Sequence, residues 1–424
     1  MQKRIGVLAQ YLDSRHDIRE YINALAKIHH VVVFLRPADA RLASLLSDQI
    51  EIRTIQAQVK KSVWNNLLIL LYKLFGILPV SEHNYFITEF FKLNHASLSK
   101  WNKWTATIIL QASRFTPKFI SYDGYLKALR YKKDTVLNDI NEFVCFTQIY
   151  DDLFLAHVLD SGKKTKVYVY SWDHPCKMKT FSKRVSEYLV WNEGLKEDLI
   201  TLQYIDADKV RVYGTTQLTY IHDFLQSSKF DKPYYSFEYI YFACATGYPK
   251  LVKQEVAVME RTAAFLAAHH PSVKLVVRTY PFFGGEELYA PLNKYSNVVI
   301  DDYKSRLDPR QFPLEVIVDK LMKMNEAKGL VHLGTTFGLE ASYFKGPVIL
   351  ADVVQEFKEL DEFVHQYQND KYLNLPFKNV PKSWQAYEEA LGAILTNDPS
   401  MSLYNKAVAE TTALYSMNNL AQRL

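Results

Sequence analysis

Residues that could bind a nucleotide are concentrated in one stretch of the chain, residues 329–352. Thr335 and Thr336 follow Gly334 directly after an apolar run that predicts a strand, and they begin a predicted helix that carries Glu340. Free backbone N–H groups at such a helix start attract a phosphate, and a carboxylate one turn along can accept hydrogen bonds from the hydroxyls of a ribose. A nucleotide would satisfy both ends of the motif. An ordinary N-cap followed by a solvated glutamate is the structural alternative.

Candidate groups for acid–base chemistry lie in loops of the amino-terminal half. Asp13 and His16 follow the first predicted strand, and Asp123 follows a later one. Open α/β sheets bind their ligands at the carboxyl ends of the strands, so a carboxylate or imidazole there could take a proton from an acceptor hydroxyl. We rank Asp13 first, with His16 and Asp123 behind it. A loop carboxylate could equally be a helix N-cap.

The elements that position these residues follow a repeating strand–helix order. The chain begins with a predicted strand over 4–9, a helix over 18–28 and a strand over 30–35, without the GxGxxG fingerprint of dinucleotide-binding proteins. The further predicted strands are 50–55, 118–122, 143–147, 166–170, 188–190, 210–212, 239–243, 273–278, 298–301, 329–333 and 348–351. Because parallel strands need crossover connections, this order predicts α/β domains with doubly wound sheets.

Two segments of the chain resemble known proteins. The motif Gly-Thr-Thr-x-x-x-Glu-Ala followed by Gly-Pro-Val-Ile, within 329–352, is similar to the donor-binding segment of the two-domain nucleotide-sugar glycosyltransferases called GT-B. Over residues 165–225, the series SWD, a basic stretch, VWNE, KEDL and KVRVYGT resembles bacterial surface-polysaccharide (capsule and O-antigen) glycosyltransferases and their glycerophosphate-transferring relatives. The resemblance implies two Rossmann-like domains that face each other across a cleft.

The resemblance also implies a domain organisation for the 424 residues. Residues 1–225 form an acceptor-binding Rossmann-like domain, and residues 239–403 form a nucleotide-sugar-binding one. Residues 226–238 contain the run Ser-Ser-Lys-Phe-Asp-Lys-Pro-Tyr-Tyr, where the regular pattern is lost, and they predict a linker. Residues 404–424 have a helical pattern, and in GT-B proteins such a tail often crosses back to the first domain.

Further site residues come from the same resemblance. In GT-B enzymes the first loop of the second domain and a basic residue after the next strand face the donor diphosphate. The residues in those positions here are Thr246, Gly247, Lys250 and Arg278. The polar loop after residue 170 supplies three cleft residues, which are Trp172, Asp173 and Lys177. Tyr280 stands where related enzymes often have the histidine of a His-Pro pair, so that histidine contact is not carried over.

The implied reaction is transfer of a sugar from a nucleotide-activated donor to a hydroxyl of a surface glycan or lipid-linked acceptor, with no metal. Three alternatives stay open. One is an epimerase of UDP-sugars, whose acidic and histidine set cannot be placed in this sequence. Another is a glycerophosphotransferase, against which Tyr280 argues. The third is a non-catalytic GT-B subunit that binds a glycan.

Composition limits the other classes of function. A net charge of +5 and a pI near 8.7 give no indication of nucleic-acid binding. Three cysteines without a CxxC spacing indicate neither a disulfide framework nor a zinc site. The letters of a DxD metal signature occur once, at residues 206–208, in a predicted surface turn.

One apolar run could contact a membrane. Residues 63–80 are interrupted by polar residues and do not predict a membrane span, but they do predict a hydrophobic helix. Its lysine neighbours, Lys60, Lys61 and Lys73, would suit an anionic membrane surface, and a buried core helix is the alternative. The amino-terminus becomes polar too early for a signal peptide. We therefore expect a cytoplasmic protein, peripheral on the inner face of the cytoplasmic membrane if this helix docks there.

Overall fold

The computed structural model describes residues 3–8, 12, 15–55, 62–72, 104, 121–129, 135–146, 152–172, 174–177, 181–227, 233–245, 249–280, 286–301, 303, 313–353 and 372–424. Within these ranges, the side chains of residues 176, 177 and 249–251 are not described. The chain forms two compact units, residues 1–219 with 414–424 and residues 220–413. Each unit is built on a parallel sheet with helices, which confirms the predicted class of two Rossmann-like α/β domains.

The first unit contains, within the described residues, a seven-stranded parallel sheet in the order β3-β2-β1-β4-β5-β6-β7. Its strands are β1 (Arg4–Leu8), β2 (His30–Leu35), β3 (Glu51–Thr54), β4 (Glu142–Phe146), β5 (Lys164–Tyr168), β6 (Glu187–Val190) and β7 (Val210–Val212). Its helices are α1 (His16–Ala26), α2 (Val63–Leu71), α3 (Tyr122–Ala128), α4 (Asp152–Asp160), α5 (His174–Lys177) and α6 (Glu193–Thr201). Runs such as VVVFL in β2 are buried throughout, as expected for a parallel sheet covered on both faces.

The second unit begins within α7 (Thr219–Gln226), at residue 220, and contains, in its described part, a five-stranded parallel sheet in the order β10-β9-β8-β11-β12. Its strands are β8 (Tyr239–Ala243), β9 (Lys274–Arg278), β10 (Val298–Ile300), β11 (Gly329–His332) and β12 (Val348–Leu350). Its further helices are α8 (Pro249–His269), α9 (Leu314–Glu326), α10 (Thr336–Ala341), α11 (Trp384–Leu395) and α12 (Ser402–Ala409).

Both sheets have a switch point, where the strand order reverses direction. In the first sheet the reversal lies between β1 and β4, and in the second it lies between β8 and β11. Ligands of open α/β sheets bind at such points, beyond the carboxyl ends of the strands. The loop after β1 and the loops after β8 and β11 are therefore the positions to search for a site.

The described structure differs from the predicted elements in three places. Tyr122 begins helix α3, capped by Ser121, so the prediction that it ends a strand followed by a turn at Asp123 is wrong. Helix α7 occupies residues 219–226 and so includes the first residue of the predicted linker, 226–238. The carboxyl-terminal tail is two helices, α12 and α13 (Met417–Gln422), with α12 in the second unit and α13 in the first.

Helix α13 is part of the core of the first unit. Leu420 and Ala421 are fully buried and belong to the same apolar cluster as Ile22 of α1 and Val7 of β1. The hydroxyl of Tyr213, just after β7, donates a hydrogen bond to the carbonyl of Leu420. Residues distant in sequence therefore complete one core.

Helix α2 has no buried residue and exposes apolar side chains, whereas the residue that follows it is packed. Tyr72, which follows the helix, is buried and stacks on Tyr125 of α3 with ring centroids 4.3 Å apart. The exposed side chains are Val63 (86%), Trp64 (74%), Leu67 (40%) and Leu70 (52%). The alternative of a fully buried core helix does not hold for residues 63–71. Among the helices that the structure describes, none is long and apolar enough to cross a membrane.

Candidate functional site

The turn between β11 and α10 lies at the switch point of the second sheet and contains Gly334, Thr335 and Thr336. Thr335 is the N-cap of α10, and its hydroxyl accepts a long hydrogen bond of 3.5 Å from the N–H of Phe337. Gly334 has a φ of 107°, a backbone conformation that favours glycine. The N-cap interpretation of Thr335 is thus confirmed, and binding of a phosphate stays a prediction.

His332 organises this turn from inside the core, and the sequence analysis did not single it out. The side chain is fully buried, and its Nδ1 accepts hydrogen bonds from the N–H groups of Gly334 (3.0 Å) and Thr335 (3.3 Å). The ring packs so closely on Gly338 that a Cβ there would lie 2.2 Å from the imidazole. The backbone N–H groups of residues 334 and 335 are consequently occupied within the protein. A histidine ending a buried strand just before a glycine turn was the available signal.

Glu340 lies on α10, one turn after its start, and is paired with a residue that sequence reasoning missed. Its Oε2 accepts from the ammonium group of Lys320 on α9 at 2.6 Å. The two side chains are only 18% and 12% exposed. Within the described residues, Oε1 of Glu340 has no hydrogen bond. The solvated-glutamate alternative is therefore wrong, because the carboxylate is largely buried and ion-paired.

Arg278 ends β9, as the sequence predicted, and its guanidinium is buried in a cluster of charges. It donates to Oδ2 of Asp301 at 3.2 Å and lies 3.6 Å from the ring centroid of Tyr303. Lys323, on α9, donates to Oδ1 of Asp301 at 2.7 Å and to Asp319 at 3.1 Å. The cluster pairs two cations with two carboxylates, so it satisfies its own charges within the second unit.

Helix α9 connects the two predicted donor residues. Lys320 holds Glu340, and Lys323, three residues later, holds the aspartate that binds Arg278. Residues three apart on a helix share a face. The structure therefore brings Arg278 and Glu340 into charge networks on one face of one helix.

A buried carboxyl group lies beside the loop after β8. Oε1 of Glu255, on α8, accepts from the N–H of Ala245, and its side chain is fully buried. Burial raises the pKa of Glu255 to about 8, and the Ala245 N–H opposes that rise only in part. The titratable groups that face it are the thiol of Cys244 and the phenol of Tyr289. At neutral pH this group is mainly a neutral carboxylic acid.

The other residues predicted to bind the nucleotide-sugar donor precede Glu255 in the sequence by five to nine positions. Thr246 and Gly247 lie outside the described residues. The backbone of Lys250 belongs to the first turn of α8, and its side chain is not described. Their predicted contacts with a donor stay predictions.

The candidate base residues in the first unit have different surroundings. Asp13 lies outside the described residues. His16 is the first residue of α1 and is half-buried, and burial, followed by the charge of Arg19, lowers its pKa below the ordinary value. Its imidazole is therefore neutral near pH 7, as a proton acceptor must be.

Asp123 has a structural role that the sequence did not indicate. Its Oδ1 accepts from the hydroxyl of Ser182 at 2.5 Å, and its Oδ2 accepts from the N–H of Lys183 at 3.1 Å. Both carboxylate oxygens are thus engaged in fixing the start of α3. Such a carboxylate is a weaker candidate for a base than His16.

The predicted cleft residues are only partly described. Trp172 is buried, with 4% of its surface exposed. Asp173 lies outside the described residues, and of Lys177 only the backbone, in α5, is described. Across the described residues no group of three or more histidine, cysteine or acidic side chains is arranged to hold a metal ion.

A hydroxyl network surrounds Asp17, next to His16. Oδ1 of Asp17 accepts from the phenol of Tyr170 at 3.1 Å, and Oδ2 accepts from the hydroxyl of Thr216 at 2.6 Å. Arg15 in turn donates to the Tyr170 oxygen at 3.3 Å. These bonds tie the start of α1 to the segments that follow β5 and β7, and so they fix where His16 lies.

Comparisons with known proteins agree on the architecture. No protein-family model and no curated protein sequence matches the chain. A putative UDP-N-acetylglucosamine 2-epimerase from Listeria monocytogenes is similar over 100% of this chain and 94% of its own, with a TM-score of 0.52 and 9% identity. MnaA of S. aureus, solved with UDP, gives the same coverage, a TM-score of 0.51 and 11% identity.

A glycosyltransferase from Rickettsia africae is similar over 99% of this chain and 96% of its own, with a TM-score of 0.50 and 11% identity. These proteins have different activities and share one architecture. At such low identity the similarity shows the fold alone. This fold is GT-B, as the sequence resemblance implied.

Proposed function

We propose that this protein is an enzyme acting on a nucleotide sugar, and that it transfers the sugar to a hydroxyl of a bacterial surface glycan or a lipid-linked acceptor. The observation that carries the proposal is Glu340, a largely buried carboxylate near the switch point of the second sheet, with one oxygen held by Lys320 and the other without a hydrogen bond among the residues that the structure describes. A ribose hydroxyl is the natural donor to such an oxygen. The UDP in the similar MnaA structure supports a nucleotide as ligand.

The nucleotide-binding half of the proposal is tested by thermal unfolding. UDP, GDP, CDP, CMP and dTDP are added in turn, and one of them, at a hundredfold excess over its dissociation constant, stabilises the fold by about 2.7 kcal/mol. Glu340→Ala loses most of this stabilisation. Glu389→Ala, at an exposed position on α11 in the same unit, keeps it. If none of the five nucleotides shifts the wild-type melting curve, the assignment is overturned.

The type of reaction is tested with the nucleotide sugar that binds. A glycosyltransferase releases nucleoside diphosphate in proportion to added acceptor. The second candidate is an epimerase, favoured by the names of two similar structures, and it would convert UDP-N-acetylglucosamine to its C2 epimer without any acceptor. Proton NMR of the sugar distinguishes these outcomes. Consumption of a CDP-linked glycerophosphate donor would identify a phosphotransferase, and binding without turnover would identify a non-catalytic subunit.

The proposed base belongs to the first unit and acts on the acceptor hydroxyl. Asp13 and His16 are the candidates, since both oxygens of Asp123 already have partners. Removing the base lowers turnover by about a hundredfold or more and leaves nucleotide binding intact. Asp13→Asn and His16→Gln are compared with Asp123→Asn as the control. Normal turnover in both Asp13→Asn and His16→Gln would exclude this arrangement. The proposal assigns no role to a metal ion.

The proposed acceptor location includes an anionic membrane surface. The exposed face of α2 presents Val63, Trp64, Leu67 and Leu70, and lysines stand next to the helix in the sequence. An apolar helix face beside cations suits the interface of an anionic bilayer. We expect the protein to co-sediment with phosphatidylglycerol vesicles at low salt and to be released at high salt. Absence of binding at low salt would reject this location.

A further inference from the structure

The ion pair between Lys320 and Glu340 has the geometry of a positioning contact. The two charged atoms are 2.6 Å apart, and both side chains are largely shielded from water. An ion pair in such surroundings is screened less than a surface pair, so it restricts the carboxylate more strongly. Lys320 itself stands on a thirteen-residue helix whose next turn is fixed by the buried contacts of Lys323. The ammonium group is therefore held by a rigid element.

The ion pair uses one oxygen of the Glu340 carboxylate and restricts how the second oxygen is oriented. Oε2 of Glu340 is used by Lys320, and Oε1 has no hydrogen bond among the described residues. A carboxylate with both oxygens free could turn toward many donors. One with an oxygen pinned presents the second oxygen at a fixed angle, and a fixed acceptor distinguishes a ligand that carries the matching hydroxyl from one that lacks it.

We propose that Lys320 is a specificity-determining positioning residue, which aims Oε1 of Glu340 at a ribose hydroxyl and so makes the site select ribonucleotides over 2′-deoxyribonucleotides. This inference rests on the proposed function, because it concerns the same nucleotide. It adds a residue that binds no ligand itself and acts through Glu340.

The test measures a ratio of affinities, which a purely structural role of Lys320 would not change. The probes are UDP, CDP and GDP, each paired with its 2′-deoxy counterpart, and dissociation constants are obtained by calorimetry. The wild-type protein binds the ribonucleotide about tenfold more tightly, since a hydrogen bond to a charged group is lost with the hydroxyl. Lys320→Met brings the ratio close to one, and Lys320→Arg, which can still pair with the carboxylate, restores most of it.

The control makes the same chemical change at another ion pair of the second unit. Lys294 contacts Glu260 at 2.6 Å with 62% of its side chain exposed, and Lys294→Met keeps the tenfold ratio. Should Lys320→Met fail to fold, Lys320→Gln is used in its place. Its amide can donate to Glu340 but carries no charge, so we expect a preference for the ribonucleotide that is smaller than that of the wild type.

The outcomes separate this inference from the proposed function. If the wild type binds none of UDP, CDP, GDP, CMP and dTDP, both are overturned, and if it binds dTDP alone, only the inference fails. If it binds one of the ribonucleotides and also binds the deoxy form equally well, only the inference fails. An unchanged preference for ribonucleotides in folded Lys320→Met would overturn it as well, since the carboxylate would then be aimed without the lysine.

Discussion

Asp17 and Asp301 are both buried aspartates just beyond the carboxyl ends of strands, one in each unit, and they are stabilised in different ways. Asp17, 7% exposed, is held by the hydroxyls of Tyr170 and Thr216. Asp301, 2% exposed, is held by the cations Arg278 and Lys323. The first carboxylate therefore depends on neutral donors, and the second depends on charge.

The difference bears on what each sheet edge can bind. Cations fixed by buried carboxylates give the second edge a set of permanent charges, together with the Lys320–Glu340 pair. Each of these cations is paired with a carboxylate, so the edge carries fixed charges of both signs, and a ribose hydroxyl that donates to Glu340 suits an edge of that kind. The first edge offers hydroxyls and the neutral imidazole of His16, which suit a hydroxyl acceptor. The contrast supports the proposed division into a donor-binding and an acceptor-binding unit.

Replacing each aspartate by asparagine tests whether Asp17 and Asp301 are stabilised in different ways. We expect the larger loss of unfolding free energy at Asp301. In Asp301→Asn an amide replaces a carboxylate that pairs with two buried cations, and its NH₂ group cannot accept from either. Removing one partner of a buried ion pair typically costs about 3–5 kcal/mol. We expect the free energy of unfolding of the second unit to fall by that amount. Hydrogen exchange of peptides from β9 and β10 measures it without averaging over both units.

A small loss of unfolding free energy in Asp301→Asn would mean that the buried cations Arg278 and Lys323 do not depend on the charge of Asp301. Exchange in β1 and β2 serves as the internal control, because the first unit should be unaffected. Arg261→Met, which removes the partially exposed pair with Glu388 in the same unit, should cost less than about 1 kcal/mol.

Glu255 adds a third case to the comparison of Asp17 with Asp301. Its buried carboxyl group is paired neither with two hydroxyl groups nor with a cation. Burial raises its pKa from the ordinary 4.5 to about 8. Between these values the folded state binds more protons than the unfolded state, so stability falls as pH rises from about 4.5 to about 8, by at most about 1.4 kcal/mol per pH unit. From pH 5 to 7 we expect the second unit to lose about 2–3 kcal/mol from this group.

Glu255→Gln removes the titratable carboxyl proton and keeps an oxygen that can accept from the backbone N–H of Ala245. Its free energy of unfolding, subtracted from that of the wild type at each pH, isolates the contribution of Glu255. A wild-type minus variant difference that is flat from pH 5 to 8 would show that the carboxyl group is ionised in the folded protein, and so that a buried carboxylate here needs neither a cation nor two hydroxyls.

The sequence predicted the fold well because its main signals are local. Short apolar runs separated by helical patterns locate the strands of both sheets, and β2, β7 and β8 were predicted with their observed bounds. Where the prediction failed, a local signal was misread: Ser121 caps a helix, yet the aromatic residues after it suggested a strand. Strand order and the position of α13 depend on contacts between distant residues, which periodicity does not contain.

The candidate site was predictable in part for the same reason. The local pattern predicted a strand, a glycine turn and a helix start in that order, and the structure has Gly334 directly after β11 and Glu340 on α10. That a ligand binds there stays a prediction. The partners of those residues could not be inferred, because Lys320 is twenty residues from Glu340 and Asp301 is twenty-three from Arg278. An isolated lysine or aspartate on a helix or after a strand is usually solvated, so its type alone gives no indication of pairing.

Among the substitutions of buried carboxyl groups, the smallest effect is expected for Asp17→Asn. The amide oxygen can accept from one hydroxyl, and its NH₂ group can donate to the oxygen of the other, since the hydroxyls of Tyr170 and Thr216 can each donate or accept. Only the charge assistance is lost, which is worth about 1 kcal/mol. Hydrogen exchange of peptides from β1 and β5 should report a loss of that size.

Asp17→Ala provides the matched contrast, because it leaves both buried hydroxyls without their acceptor and costs about 1–3 kcal/mol. The ratio of the two losses is the informative quantity. If Asp17→Asn were as damaging as Asp301→Asn, the negative charge of Asp17 would have to be balanced by a cation, and Arg15, which already donates to Tyr170, is the nearest candidate in the network. The first edge would then be a charged one as well, and the argument that it suits a neutral hydroxyl acceptor would lose its basis.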